Sequence, residues 1–168
     1  MGMSQSVEAI VEQWRCARPD VDPSPIDAVA RLMRLAQYWG AEMRRFMAGY
    51  DLQTGEFDVL CSLRRTAAPH ELTATEFVRT ALVTSGAITN RIDRMERKGL
   101  VERVRGTEDR RVVRIRLTAK GMKVVEEVYP KHVANQATFL ERLSETERKL
   151  LVGHLSALLE SFEERSPN

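Results

Sequence analysis

Residues 84–118, TSGAITNRIDRMERKGLVERVRGTEDRRVVRIRLT, decide the fold of this chain. Two periods follow one another inside them. Ile88, Ile92 and Met95 recur at the spacing of one helix face, and Gly99 is placed to take the left-handed backbone that ends such a helix. Val113, Ile115 and Leu117 then alternate with Arg114 and Arg116, the two-residue period of a strand with one buried face. Leu100 to Arg105 reads as the partner strand, and Gly106 to Arg111 supplies the loop between them. The stretch is a helix followed by a β-hairpin with a basic tip. It also holds ten Arg and Lys against five acidic residues, in a chain of 168 residues with a formal net charge of only +2. The rest of the chain is therefore mildly acidic, and positive charge gathered on one module is the electrostatic footprint of nucleic-acid binding.

On the amino-terminal side, Thr73 and Glu76 form a capping box, with Leu72 and Phe77 as its hydrophobic staple, and start a short helix through Ala81. Thr84 caps the next helix after the tight turn Leu82 to Thr84, which makes the pair a helix-turn-helix. Further upstream, Thr54 caps a helix carrying Phe57, Leu60 and Cys61 that stops at Ala67-Ala68-Pro69. Ser24 is placed to cap and Pro25 to open a long helix with Val29, Leu32, Met33, Ala36, Trp39, Met43 and Phe46, running to about Met47. Val7, Ile10, Val11 and Trp14 mark a short helix that Arg18-Pro19 closes. Downstream of Thr118 the helical period returns through Val124, Val125 and Val128, with Pro130 at a potential kink. A second capping box, Ser144 with Glu147, starts a last helix bearing Leu151, Leu155, Leu158 and Phe162. The expected fold is mainly α with a small β-hairpin wing, a winged helix-turn-helix.

Composition excludes several classes of function. With 43% apolar residues the chain can bury a core without staples, and the widely separated Cys16 and Cys61 fit neither a disulfide framework nor a metal spacing. No metal and no cofactor are expected. Met1 to Ser6 lack a basic segment leading into an apolar stretch, and no uninterrupted apolar run reaches membrane-spanning length, so a soluble cytoplasmic protein without membrane contact is expected. There is no Gly-rich phosphate loop, no paired metal-ligand histidines and no nucleophile motif with its base, which argues against an enzyme. Aromatic residues are 6% of the chain and none lies between Thr84 and Thr118, so the stacking platform of single-strand binding is missing. Double-stranded DNA is the expected partner.

A helix fits the major groove, where every base pair shows its own donor and acceptor pattern. Gly86, Asn90, Asp93, Arg94 and Arg97 lie opposite the Ile88 stripe on a helical wheel. Ser85 and Gly86 allow close backbone approach, and Thr89, Asn90 and Arg94 bring hydrogen-bonding groups for base edges and phosphates. Arg110 and Arg111 at the hairpin tip can enter a minor groove, with Asp109 positioning an arginine.

The segment from Ser85 to Arg103, followed by Asp109-Arg110-Arg111 and Leu117-Thr118, closely resembles the winged-helix MarR family of bacterial transcription regulators along the whole chain. The resemblance implies a homodimer through the N- and C-terminal helices: residues 1–50 and 119–165 as the dimerisation part, 54–118 as the DNA-binding part. Apolar terminal helices without a partner in so small a core suit that role. Two reader helices about a two-fold axis then require a pseudo-palindromic operator, and repression is the expected mode.

A narrower resemblance rests on the extra amino-terminal helix. Gln13-Trp14-Arg15, Arg18-Pro19-Asp20, Asp22-Pro23-Ser24-Pro25 and Gly55-Glu56-Phe57-Asp58-Val59-Leu60 look like the PecS/HucR-like urate-responsive subgroup. By motif, its four ligand-site residues fall on Trp14, Asp58, Arg91 and Arg103, which implies urate or xanthine as effector. An indole can pack on a planar purine anion while two guanidiniums neutralise it. From the residues alone, a tryptophan on an apolar stripe, as Trp14 is, is more often core than ligand contact. Arg91 flanks the buried stripe beside Met95, where an arginine needs an anionic partner, and Asp58 is one candidate. Another small aromatic anion, or oxidation at Cys61 or Cys16, is the alternative trigger.

Overall fold

A computed structural model describes residues 5–73, 75–77, 88–105 and 112–165. The chain forms two compact units, Met1–Asp58 and Val59–Asn168, and the boundary falls inside a helix.

In the first unit, α1 spans Val7–Ala17, and the hydroxyl of Ser6 caps it by accepting from Ala9 N at 3.1 Å. The Arg18 N–H closes it on Trp14 O at 2.8 Å, as the Arg18-Pro19 step predicts. Helix α2 spans Ser24–Ala48, with Pro25 in its first turn. Ser24 is not its cap: the cap position is Pro23, and Ser24 donates through Oγ and N to the Asp22 carboxylate at 2.6 and 3.0 Å. The reason is local, since a carboxylate two residues upstream is a stronger acceptor for that turn than a hydroxyl. Helix α1 packs on α2, burying Val7 and Val11, and is strapped to it by Glu8–Arg31 at 2.5 Å, with Asp27 at 3.0 Å from the same guanidinium and Arg34 donating to Gln5 O at 2.7 Å. Further along α2, Met43 and Met47 are buried, whereas Val29, Leu32, Met33, Leu35 and Tyr38 are exposed in the single chain.

Helix α3, Thr54–Arg65, begins one residue before the predicted start of its helical run. The predicted cap Thr54 is already helical, and the N–H of Gln53 donates to the fully buried Glu56 at 3.0 Å.

In the second unit, Val59, Leu60 and Leu63 carry the buried face of α3, which ends before Ala67-Ala68-Pro69. A short strand β1, Glu71–Thr73, follows where the sequence pattern indicated only a helix entry. Three residues are too few to display a period, so its pairing was invisible from sequence. The Thr73–Glu76 capping box is present in both directions, at 2.7 and 3.2 Å, and the staple residues Leu72 and Phe77 are both buried. Helix α4, Ile88–Arg97, buries Ile88, Ile92 and Met95. Gly99 ends it at φ 69°, a left-handed position that a Cβ would strain.

Strands β2, Val101–Arg105, and β3, Val113–Leu117, form the hairpin, and β1 adds antiparallel to β3, giving the order β1-β3-β2. Ile115 and Leu117 point inward while Arg114 and Arg116 lie on the other face. Thr118 then caps α5, Ala119–Phe139, which runs through Pro130 as one helix. Gly121 in its first turn approaches Leu100 so closely that an added Cβ would stand 2.0 Å from the Leu100 carbonyl oxygen; only glycine fits. Helix α6, Glu145–Glu163, opens with the complete Ser144–Glu147 capping box and has no buried residue.

Candidate nucleic-acid interface and effector residues

Helix α4 sorts its side chains by chemistry. Its three buried apolar residues hold it to the body of the second unit, and Thr89 and Asn90 stand exposed on the remaining surface, with Arg94 half-buried. A ten-residue helix with exposed hydrogen-bonding groups and a basic carboxyl-terminal turn suits a major groove. Ser85 and Gly86 at its amino end, and Asp109, Arg110 and Arg111 at the hairpin tip, lie outside the described residues.

Asp93 and Glu96 do not join the outward set. Both carboxylates face the wing strand β2 and hold Arg103: its Nη2 lies 2.5 Å from Asp93 Oδ1, its Nη1 pairs with Glu96 Oε2, and its backbone N–H donates to Glu96 Oε1 at 3.3 Å. The hydrogen bond that Arg103 donates to Asp93, with the nearby charge of Glu96, raises the guanidinium above its already high ordinary pKa against the opposing effect of partial burial. Arg103 is a charged, bidentate tie between hairpin and helix.

The strand arginines are also engaged. Arg116 Nη2 lies 2.9 Å from Glu71 on β1 and its Nη1 3.8 Å from Glu102 on β2, following the register Glu71↔Arg116↔Glu102 across the sheet. Arg114 lies 3.7 Å from Glu71 and 3.6 Å from Glu76. Arg103, Arg114 and Arg116, among the cations that mark this region, thus neutralise carboxylates within the unit. Pattern reading missed the Glu71 pairs because they depend on β1, a strand the sequence did not reveal.

Of the four residues assigned to an effector by resemblance, Trp14 and Asp58 lie in the first unit and Arg91 and Arg103 in the second. Trp14 is 50% exposed, so it is not core in the single chain, although Val7 and Val11 of the same stripe are buried. Asp58 is exposed on α3. Arg91 is half-buried, and its Nη1 is a buried nitrogen without a hydrogen-bond partner among the described residues. Arg103 is held as above.

A separate cavity of about 760 Å³ opens between the end of α3 and α5 within the second unit, walled by Cys61, Arg65, Val125 and Tyr129, with the Arg64–Glu126 ion pair at its edge. Cys61 is half-buried and Cys16 exposed, and neither is in a disulfide. Among the described residues no group of three or more His, Cys, Asp or Glu is arranged to hold a metal ion, and no helix is long and apolar enough to cross a membrane.

The helix-then-hairpin arrangement defines a winged-helix DNA-binding protein, and comparison with known proteins gives its kinship. The MarR family model matches residues 52–113. The chain is 34% identical over 162 residues to the transcriptional regulator PecS of Dickeya dadantii, covering 96% of this chain and 95% of that protein. It is 30% identical to the transcriptional repressor YetL of Bacillus subtilis over 84% of each chain. A solved structure of an Escherichia coli MarR variant with operator DNA matches with a TM-score of 0.66 at 27% identity, over 79% of this chain and 94% of that one. The chain belongs to the MarR family, whose members bind DNA and typically dimerise. It is a DNA-binding transcriptional regulator, and its relatives are named as regulators, none as an enzyme.

Proposed function

We propose that this regulator is a homodimeric repressor of a pseudo-palindromic operator and leaves it when urate or a related purine anion, such as xanthine, binds. Dimerisation runs through the helices of 1–50 and 119–165, and residues 54–118 bind DNA through Ser85, Gly86, Thr89, Asn90, Arg94 and the wing tip Asp109 to Arg111. The observation that carries the effector reading is Arg91: it sits on the reader helix α4 with a buried cationic nitrogen that lacks a partner among the described residues. An unsatisfied buried donor costs roughly 1–3 kcal/mol, more when charged, which an anion would recover. Because Arg91 is part of α4, the same anion acts on the element that meets DNA. The exposed indole of Trp14 is available for a planar ring.

Calorimetric titration tests this. The parent binds urate or xanthine, whereas Arg91→Ala and Trp14→Phe lose affinity by about tenfold or more, the scale of one charged or stacking contact. Undiminished binding by both variants would sink the assignment.

A second reading has its own observation. The cavity beside Cys61 combines an apolar floor at Val125, an aromatic wall at Tyr129 and the guanidinium of Arg65, a composition and size suited to a small aromatic acid. In that case phenolic acids, not purines, raise the melting temperature, and Trp14→Phe leaves the shift intact. Oxidation at Cys61 or Cys16 is distinguished by a peroxide response that Cys→Ser variants abolish.

A further inference from the structure

We propose that Arg103 is a positioning residue for DNA binding: from strand β2 it clasps Asp93 and Glu96 of the reader helix α4 and so fixes the wing relative to the helix that enters the groove.

Three observations support the clasp. The tie is made by both the side chain and the main chain of Arg103, with Asp93 Oδ1 at 2.5 Å from the guanidinium and Glu96 Oε1 at 3.3 Å from the backbone nitrogen. Asp93 and Glu96 are three residues apart, so they stand on one side of α4 and present two carboxylates to one planar guanidinium, a match that the point charge of lysine cannot reproduce. The Arg103 side chain is 33% exposed, less than its carboxylate partners, which shields the pair from salt more than a free surface pair.

Electrostatics acts in the same direction. DNA presents a dense row of negative charge, and two unpaired carboxylates on a groove-facing helix would be repelled by it. Arg103 neutralises both. The backbone joins α4 to β2 through a turn of only Lys98, Gly99 and Leu100, closed by Leu100 N donating to Met95 O at 2.9 Å. That joint sets where the strand begins, while Arg103, two residues into it, sets how the strand lies against the helix. Loss of the clasp therefore weakens DNA binding twice over, by freeing the wing and by exposing two negative charges.

One consequence rests on the effector reading above, although the positioning role does not. An anion that reaches Arg103 must displace Asp93 and Glu96, so effector binding and an opened clasp become the same event.

The test uses the full-length protein and an operator fragment, with affinity read by fluorescence anisotropy across a salt series. Arg103→Gln is expected to weaken operator binding about tenfold, the worth of one charge-assisted hydrogen bond, while the slope of log affinity against log salt stays that of the parent. In an Asp93→Asn, Glu96→Gln background the same Arg103→Gln change is expected to alter affinity less than about twofold, since its partners are already gone. A slope reduced by about 0.9, with equal loss in both backgrounds, would make Arg103 a phosphate contact and overturn the clasp. Unchanged affinity in Arg103→Gln would overturn it as well. Should Arg103→Gln not fold, Arg103→Lys keeps the charge and one contact; it is expected to weaken binding about threefold at constant slope, less than a full charge-assisted bond, and parental affinity would count against the proposal. Trp14→Phe separates the two readings: it is expected to lose the urate response and to leave the behaviour of the Arg103 variants untouched.

Discussion

Helices α4 and α6 both carry an apolar stripe, yet they end in opposite situations. Every large apolar residue of α4, Ile88, Ile92 and Met95, is buried within its own unit. None of α6 is: Leu150, Val152, Leu158, Leu159 and Phe162 are all more than half exposed, and Leu155 is 38% exposed. The first helix is anchored by its inner face and offers a polar surface. The second offers its apolar surface, which the chain alone cannot cover. Burying such side chains is worth about 1.5–3 kcal/mol each, so a stripe of them left in water is a strong drive toward a second chain. In a family that typically dimerises, the contrast supports the proposal that α4 meets DNA and that α6 meets the partner subunit.

The largest effect that would break this contrast is on the apolar side. Leu158→Asp with Phe162→Asp places charges where the single chain is already solvated, so each monomer keeps its fold, but in a dimer seam they would be buried unpaired. Light scattering after size exclusion is expected to show monomers, with operator affinity reduced on the order of a hundredfold or more because two half-sites are no longer held together. A dimer of parental affinity would mean that α6 lies outside the seam.

On the polar side the expected effect is smaller. Asn90→Ala removes an exposed hydrogen-bonding side chain from α4 without touching its buried face. Operator binding should weaken by about 1–3 kcal/mol, while binding to unrelated DNA stays unchanged, as competition gel shifts would reveal. Equal loss on both DNAs would convert Asn90 from a base reader into a backbone contact.

The smallest effect concerns the start of α6. The Ser144 hydroxyl and N–H hold the Glu147 carboxylate below its ordinary pKa, so it binds its proton less readily folded than unfolded. Its contribution to stability is present above the unfolded value near 4.5 and fades as pH falls through the lowered folded value. Melting curves of Glu147→Gln should lie slightly below the parent at neutral pH and converge with it in acid. A gap that persists at low pH would show that the carboxylate charge plays no part in the cap.

Much of this molecule is legible in one dimension because its signals are local. The Thr73–Glu76 and Ser144–Glu147 boxes, the Gly99 stop and the Arg18-Pro19 closure are each decided by residues within a turn of one another, and all four stand where the chain pattern places them. The misplaced cap at Ser24 failed for the same reason in reverse, since Asp22 competes for the same local bonds. Strand β1 and the carboxylate partners of the wing arginines were not legible. Residues 71, 102 and 116 meet only through sheet register, and nothing in their spacing announces it.

The effector residues divide along the same line. Residue types at Trp14, Asp58, Arg91 and Arg103 can be matched to a motif from sequence alone, but the state of each cannot. Amphipathic spacing favours a buried Trp14, and only the packed chain shows it half in solvent. A run of arginines reads as uniform positive charge, and only tertiary contacts separate Arg103, tied to two carboxylates, from Arg91, whose buried nitrogen has no partner among the described residues.

The sequence by itself determined the order of helices and hairpin, the caps and stops that bound them, and the concentration of charge that points to DNA. Those follow from backbone preference and side-chain period, which act over a few residues. The tertiary structure decided which of the cations are already neutralised and which apolar faces remain open, because pairing and burial depend on neighbours far apart in the chain.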